Sequence, residues 1–158
     1  MMIVLAWLHI LSAVTWIGGS LFLSAVLVPV LKDEPFAAQR GTLFKAIAGR
    51  FRMMVWASVG LLFATGVPLL SRRVDSLLAP SGWPAVLKAK LVLVIVLIGM
   101  TALHDFWIGP KVGRWMRASQ ESRTPFESGM IRLAPWVARL GLGLALAVLL
   151  LAAALVRL

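Results

Sequence analysis

The sequence contains no cysteine and no tyrosine, and this absence removes several kinds of chemistry. Disulfides and thiolate metal sites need cysteine, and phenolate chemistry needs tyrosine. Only six acidic residues are present, so the paired carboxylates of a hydrolase have no basis here. A bound metal must therefore be held by His, Met, carboxylate, backbone or solvent. Among these donors, thioethers with imidazole suit Cu(I), and imidazole alone suits copper or haem iron.

Charged residues are scarce as well, and long uncharged runs take their place. Of the 158 residues, 61% are hydrophobic and 14% are charged, and the mean hydropathy is +0.94. Soluble domains carry more charge, so the composition indicates an integral membrane protein. The runs long enough to cross a bilayer as helices are residues 3–31, 53–70, 84–108 and 133–156. The sequence therefore predicts one all-α membrane domain, residues 1–158, folded as a four-helix bundle.

The distribution of basic residues predicts the orientation of the helices. Ten of the sixteen Lys and Arg residues lie in segments 32–52 and 111–132, on one side of the membrane, and five lie on the other side. The positive-inside rule then makes these two segments cytoplasmic and puts both termini on the periplasmic side of a bacterial inner membrane. Residues 36–52 mix aromatic and basic side chains, which predicts a basic amphipathic segment at the cytoplasmic surface. The same distribution argues against nucleic acid as a partner.

The first span carries a histidine on a face suited to contact. At 100° per residue, His9, Ser12, Trp16 and Gly19 share one side of the helix. A polar side chain in a membrane helix is costly unless it finds a partner. His9 is therefore either a ligand to a metal or cofactor, or a histidine hydrogen-bonded to a neighbouring helix. The glycines predicted to allow close helix packing are Gly18, Gly19 and Gly66.

The third span carries most of the remaining polar chemistry. Lys90 and His104 share a face but are about 21 Å apart along the axis at 1.5 Å per residue. The first and third spans run in the same direction, so we expect His9 to be level with Lys90 and His104 to lie in the opposite leaflet. Two histidines at opposite depths cannot readily ligate one haem within one bundle.

Two half-sites follow from this spacing. The outer one contains His9, Lys90 and Met1 or Met2, and the inner one contains His104, Met100, Met53 or Met54, and Asp105. Simpler roles remain open for several of these residues. Lys90 can anchor at the headgroups, the methionines can be packing residues, and Asp105 can form a structural ion pair with Arg139. No nucleophile–base pair is present, so we predict no catalytic residue.

Short motifs in the first three spans resemble the copper resistance protein D (CopD) family. They are Leu8-His9, Trp16-Ile17-Gly18-Gly19, Phe51-Arg52, Thr65-Gly66, Leu87-Lys88-Ala89-Lys90-Leu91 and His104-Asp105-Phe106. This resemblance implies a membrane protein of copper binding, transport or homeostasis. The metal would then be held by residues of the two half-sites, His9, His104, Met100, Met53 and Met54.

Part of the pattern also resembles the HemJ family of haem-containing protoporphyrinogen oxidases. The shared features are the histidine of the first span and the lysine at the start of the third. That resemblance implies b-haem with His9 as an axial ligand and Lys90 and Trp16 beside the cofactor, and hence an oxidoreductase or electron carrier. A third hypothesis is an accessory subunit that binds nothing. The expected partners are the lipid bilayer and a homo-oligomer or a larger membrane complex.

Overall fold

The computed structural model describes residues 1–36, 38–116 and 122–155, and every regular element among these residues is helical. Four helices are long and apolar enough to cross a membrane, so the prediction of an all-α protein with four spans is confirmed. They are α1 (Met2–Val30), α2 (Arg40–Leu70), α3 (Ala85–Trp115) and α4 (Pro125–Leu155). The chain divides into two compact units, unit 1 (Met1–Trp83) with α1 and α2, and unit 2 (Pro84–Leu158) with α3 and α4.

The first and third helices begin close to their predicted starts, but α2 begins much earlier than its predicted span. It starts at Arg40 rather than at residue 53. The described residues from Arg40 to Arg52 therefore form the first turns of a continuous helix, and Ala37, in the predicted amphipathic segment 36–52, lies outside the described residues. The assembly of all four helices into one bundle and the position of both termini stay predictions.

A capping box explains why α4 also begins earlier than its predicted start at residue 133. The Thr124 N–H donates to Glu127 Oε2 at 2.9 Å, and the Glu127 N–H donates to Thr124 Oγ1 at 3.3 Å. This reciprocal pair satisfies two backbone donors that have no partner inside a helix. Pro125 takes the first helical position, where its missing N–H is not needed. The predicted last residue of this span, Val156, lies outside the described residues.

Both α1 and α3 contain one π-helical turn shortly before a proline. The turn at Leu23–Leu27 precedes Pro29, and the turn at His104–Ile108 precedes Pro110. A proline inside a helix cannot donate a hydrogen bond, and its ring clashes with the carbonyl four residues earlier. A widened turn takes up this mismatch. Each helix therefore continues past its proline.

An arginine that follows the first helix of each unit caps the C-terminal end of that helix. In unit 1, the Arg40 guanidinium donates to the carbonyls of Leu31 and Lys32. In unit 2, Arg123 donates to the carbonyl of Trp115 at 3.0 Å and to that of the next residue at 3.1 Å. Carbonyls at the end of a helix have no intrahelical donor. Both arginines therefore stabilise the fold in addition to contributing positive charge.

In unit 1, α1 packs against α2 along a face that mixes apolar and small polar residues. The buried side chains on α1 include Ser12, Trp16 and Ile17, and those on α2 are Val55, Ser58 and Thr65. In unit 2, α3 packs against α4, and the buried side chains there are all apolar: Leu87, Leu97, Ile108, Ala145 and Leu155. The buried polar chemistry among the described residues is thus concentrated in unit 1.

Gly19 makes the close approach of α1 and α2 possible. A Cβ atom at this position would overlap the Phe51 ring, so the ring occupies the space that a side chain would need. At the neighbouring Gly18, a Cβ atom would meet nothing within 4 Å. Two adjacent glycines therefore differ in what they do, since only Gly19 receives a side chain from the other helix.

Large apolar side chains on the outer faces of the helices are mostly exposed. Phe63 is 74% exposed, Ile95 is 70% and Leu150 is 72%. Apolar surface exposed in this way is unfavourable in water and is suited to contact with acyl chains. This exposure agrees with the assignment of the four helices to a membrane.

We expect Gly19→Ala to lower the free energy of unfolding relative to Gly18→Ala by about 1–3 kcal/mol, because the new methyl group must displace the Phe51 ring. Both variants gain the same helix propensity, so their difference isolates the clash. The measurement is thermal unfolding in detergent followed by circular dichroism. In a Phe51→Ala background the difference should disappear. Equal stability of the two single variants would show that Phe51 does not restrict this position.

Candidate functional site

The imidazole of His9 is hydrogen-bonded across the α1–α2 pair. His9 Nδ1 lies 2.9 Å from Thr65 Oγ1. Thr65 is only 2% exposed, and His9 is half-buried. The histidine is thus positioned by a residue of the neighbouring helix, and it has the cross-helix partner that one of the two sequence hypotheses required.

Thr65 also determines which nitrogen of His9 carries the proton. Its hydroxyl oxygen lies 2.6 Å from the Leu61 carbonyl one turn earlier in α2. A hydroxyl has one proton, so when it donates to this carbonyl it meets His9 Nδ1 as an acceptor. Nδ1 therefore carries the hydrogen, and in the neutral imidazole Nε2 carries the lone pair. Nε2 is the nitrogen with the chemistry of a metal ligand or a proton acceptor.

Gly66 allows the imidazole to lie against α2. A Cβ atom at Gly66 would be 3.2 Å from His9 Cε1 and 3.8 Å from His9 Nδ1. The first of these distances is tighter than ordinary van der Waals contact. Thr65 and Gly66 therefore act together, one as hydrogen-bond acceptor and the other as the space for the ring.

Two further polar side chains of α1 lie on the same buried face as His9. Ser12 is 3% exposed and its Oγ donates to the Leu8 carbonyl at 2.7 Å, and Trp16 is 8% exposed. On α2, Ser58 is 7% exposed and lies two turns before Thr65. His9 is therefore one member of a polar seam along the helix pair, and the predicted face of α1 is buried within unit 1 at Ser12 and Trp16.

The second histidine lies in unit 2, at the start of the π-helical turn of α3. His104 Nδ1 is 3.1 Å from Asp105 Oδ1, and the side chains are 36% and 17% exposed. An ionised carboxylate only accepts hydrogen bonds, so Nδ1 donates and Nε2 again carries the lone pair of the neutral ring. His104 thus has the same arrangement as His9, with one ring nitrogen held by an oxygen acceptor.

The other predicted ligands are distributed over both units. Lys90 and Met100 are half-buried residues of α3 in unit 2. Met53 and Met54 belong to α2 in unit 1 and are 70% and 52% exposed, and Met1 is 95% exposed. Each predicted half-site therefore draws residues from both units.

The two members of the predicted ion pair have other contacts. Asp105 is hydrogen-bonded to His104, and the Arg139 guanidinium lies over the Trp136 ring at 4.8 Å from its centroid. An arginine in this position gains a cation–π interaction. The ion pair between Asp105 and Arg139 stays a prediction.

The chemistry of these histidines is that of single, oriented nitrogen donors. Within residues 1–36, 38–116 and 122–155, no group of three or more His, Cys, Asp or Glu side chains could hold a metal ion. A closed site of the kind that structural zinc needs is thus absent from the described part of the chain. A single oriented imidazole nitrogen is instead a donor that suits copper among other transition metals.

Thr65 was not predicted as the partner of His9, although the sequence contains a signal for this pair. In two antiparallel helices joined by one loop, residues equally distant from the loop lie at the same level. His9 lies 21 residues before Val30, the end of α1, and Thr65 lies 25 residues after Arg40, the start of α2, so this rule places the two within about one helical turn of each other. Gly66 beside Thr65 adds the space that an imidazole requires.

We expect Thr65→Val to lower the free energy of unfolding by about 1–3 kcal/mol, because the N–H of the half-buried His9 side chain loses its acceptor. The matched control is Thr15→Val, which removes a hydroxyl that donates only to the Leu11 carbonyl of its own helix. This control should change stability by less than the Thr65 variant. Chemical denaturation of the detergent-solubilised protein measures both, and equal losses would contradict a cross-helix role for Thr65.

Comparison with known proteins identifies the family. The family model of copper resistance protein D matches residues 45–155, from the early part of α2 to the end of α4, so His9 lies before the matched region. An uncharacterised protein of Aquifex aeolicus (strain VF5) is 36% identical over 106 residues, which is 66% of this chain and 68% of that relative. No solved structure matches the chain. Because the family match extends over most of the sequence, this protein belongs to the copper resistance protein D family.

Proposed function

We propose that this membrane protein handles copper by binding Cu(I) through Nε2 of His9 and of His104. Membership of the copper resistance protein D family supports copper as the ion. The observation that carries the proposal is the arrangement common to both histidines. Each holds Nδ1 against an oxygen acceptor, at 2.9 Å for His9 and 3.1 Å for His104. Histidines that bind metals commonly donate their other N–H in this way, which fixes the tautomer and the ring orientation.

Methionine thioethers supply the soft donors that Cu(I) prefers. Met100 precedes His104 by four residues on α3, so the two share a face of the helix. Met53 and Met54 are exposed and flexible, which suits an ion that is passed on rather than retained. Copper is then a cargo, and the chain's own residues bind it, orient it and release it.

The test is Cu(I) affinity, measured anaerobically by competition with a chromophoric chelator on the full-length protein in detergent. We expect His9→Ala and His104→Ala each to remove one binding site. Thr65→Val should weaken the His9 site by about 10–100-fold, since it removes only the partner that orients the ligand. Thr15→Val should leave the affinity unchanged. Wild-type affinity in both histidine variants would overturn the proposal.

An absorption spectrum of the same sample separates copper from haem. A copper-binding protein purified without added cofactor should show no Soret band, either as isolated or after reduction with dithionite. A Soret band with sharp α and β bands on reduction would make the protein a b-haem protein of the HemJ type. In that case His9 would be assigned as an axial ligand and the copper proposal would be abandoned.

We further propose that segments 32–52 and 111–132 face the cytoplasm of a bacterial cell and that both termini face outward. The excess of basic residues in these segments supports this orientation. The absence of native cysteine makes the test direct, because single-cysteine variants need no altered background. In intact spheroplasts, an impermeant thiol reagent should label Ser76→Cys and should label Asp33→Cys only after lysis. The reverse pattern would invert the orientation.

A further inference from the structure

Between α1 and α2, unit 1 contains an open groove that is lined by neither histidine and shares only Met54 with the copper proposal. Its volume is about 220 Å³, and it is lined by six apolar residues and one arginine. The apolar lining includes Gly19, Phe22, Phe51 and Met54. The charged residue is Arg50. The volume is below the roughly 300–1,000 Å³ of pockets that enclose a drug-sized ligand. The groove is therefore suited to one part of an extended ligand, and it is too small to enclose a whole drug-sized molecule.

Arg50 has no hydrogen bond or ion pair with any residue in the described part of unit 1. It differs in this from Arg40, whose guanidinium binds two backbone carbonyls. The four basic residues of α2 precede its long apolar run, and this helix contains no acidic residue. The charge around the groove is therefore positive and uncompensated by α2 itself.

The position of the groove along α2 points to an occupant with a charged and an apolar part. Arg50 belongs to the basic first turns of the helix, and Met54 belongs to the apolar run that follows. A ligand in this groove must be anionic at one end and apolar at the other. We propose that the groove binds one anionic diacyl phospholipid, with the phosphate at Arg50 and one acyl chain over Gly19, Phe22 and Met54. A guanidinium can bind two phosphate oxygens at once, which favours arginine in this role.

The test is lipid binding by native mass spectrometry of the full-length protein in detergent, titrated with phosphatidylglycerol or with phosphatidylcholine of identical chains. We expect tighter binding of phosphatidylglycerol, and we expect Arg50→Gln to weaken it about fivefold, the effect of one lost charge contact. Arg50→Lys should retain most of the preference. The matched control is Arg52→Gln, because Arg52 is a neighbouring exposed cation that does not line the groove.

A groove-filling variant tests the acyl part of the site without changing the charge. Met54→Trp should weaken phosphatidylglycerol binding, because the larger side chain fills part of the groove. The helix content should stay unchanged, because Met54 is 52% exposed and its position tolerates a larger side chain. Equal weakening by Arg50→Gln and Arg52→Gln would mean diffuse surface attraction and would overturn the proposal. Equal affinity for both lipids, or a protein dimer that Met54→Trp dissociates while lipid binding is unchanged, would also overturn it.

Discussion

The hydrogen bond between His9 and Thr65 is the contact on which unit 1 depends. An imidazole within a membrane helix needs a partner, and no water is present in the bilayer core to provide one. Thr65 supplies the acceptor at 2.9 Å, and Gly66 leaves space for the ring. The same antiparallel alignment brings Phe51 over Gly19. The alignment of α1 and α2 that gives His9 its hydrogen-bond partner is therefore the same alignment that brings the apolar surfaces of the two helices into close contact.

The two histidines connect this packing to the proposed handling of copper. His9 is oriented by the hydroxyl of another helix, and His104 by the carboxylate of the next residue in its own helix. The family match begins at residue 45, so it includes Thr65 and His104 but not His9. An oriented imidazole with soft thioether donors is suited to transient binding of Cu(I), since few ligands hold the ion and its release needs few bonds to break.

The basic residues have at least two separate roles in this chain. Arg40 and Arg123 donate to carbonyls at the ends of α1 and α3, and their charge is used within the fold. Arg50 makes no such contact among the described residues and lines an apolar groove instead. A count of positive charges predicts membrane orientation, but it does not distinguish these roles. Only the geometry around each guanidinium separates an arginine that closes a helix from one that can bind an anion.

The sequence by itself determined that this is an all-α protein with four spans, because the length of an apolar run and the scarcity of charge are local properties. It also contained the start of α4, since Thr124 and Glu127 form a capping box at fixed spacing, although hydropathy alone placed that start too late. The contacts between the helices of unit 1 depend on the tertiary structure. There, Gly19 rather than Gly18 is in close contact with the other helix, and Thr65 is the partner of His9. These choices depend on the alignment of one helix against another, which residue periodicity within a single helix does not specify.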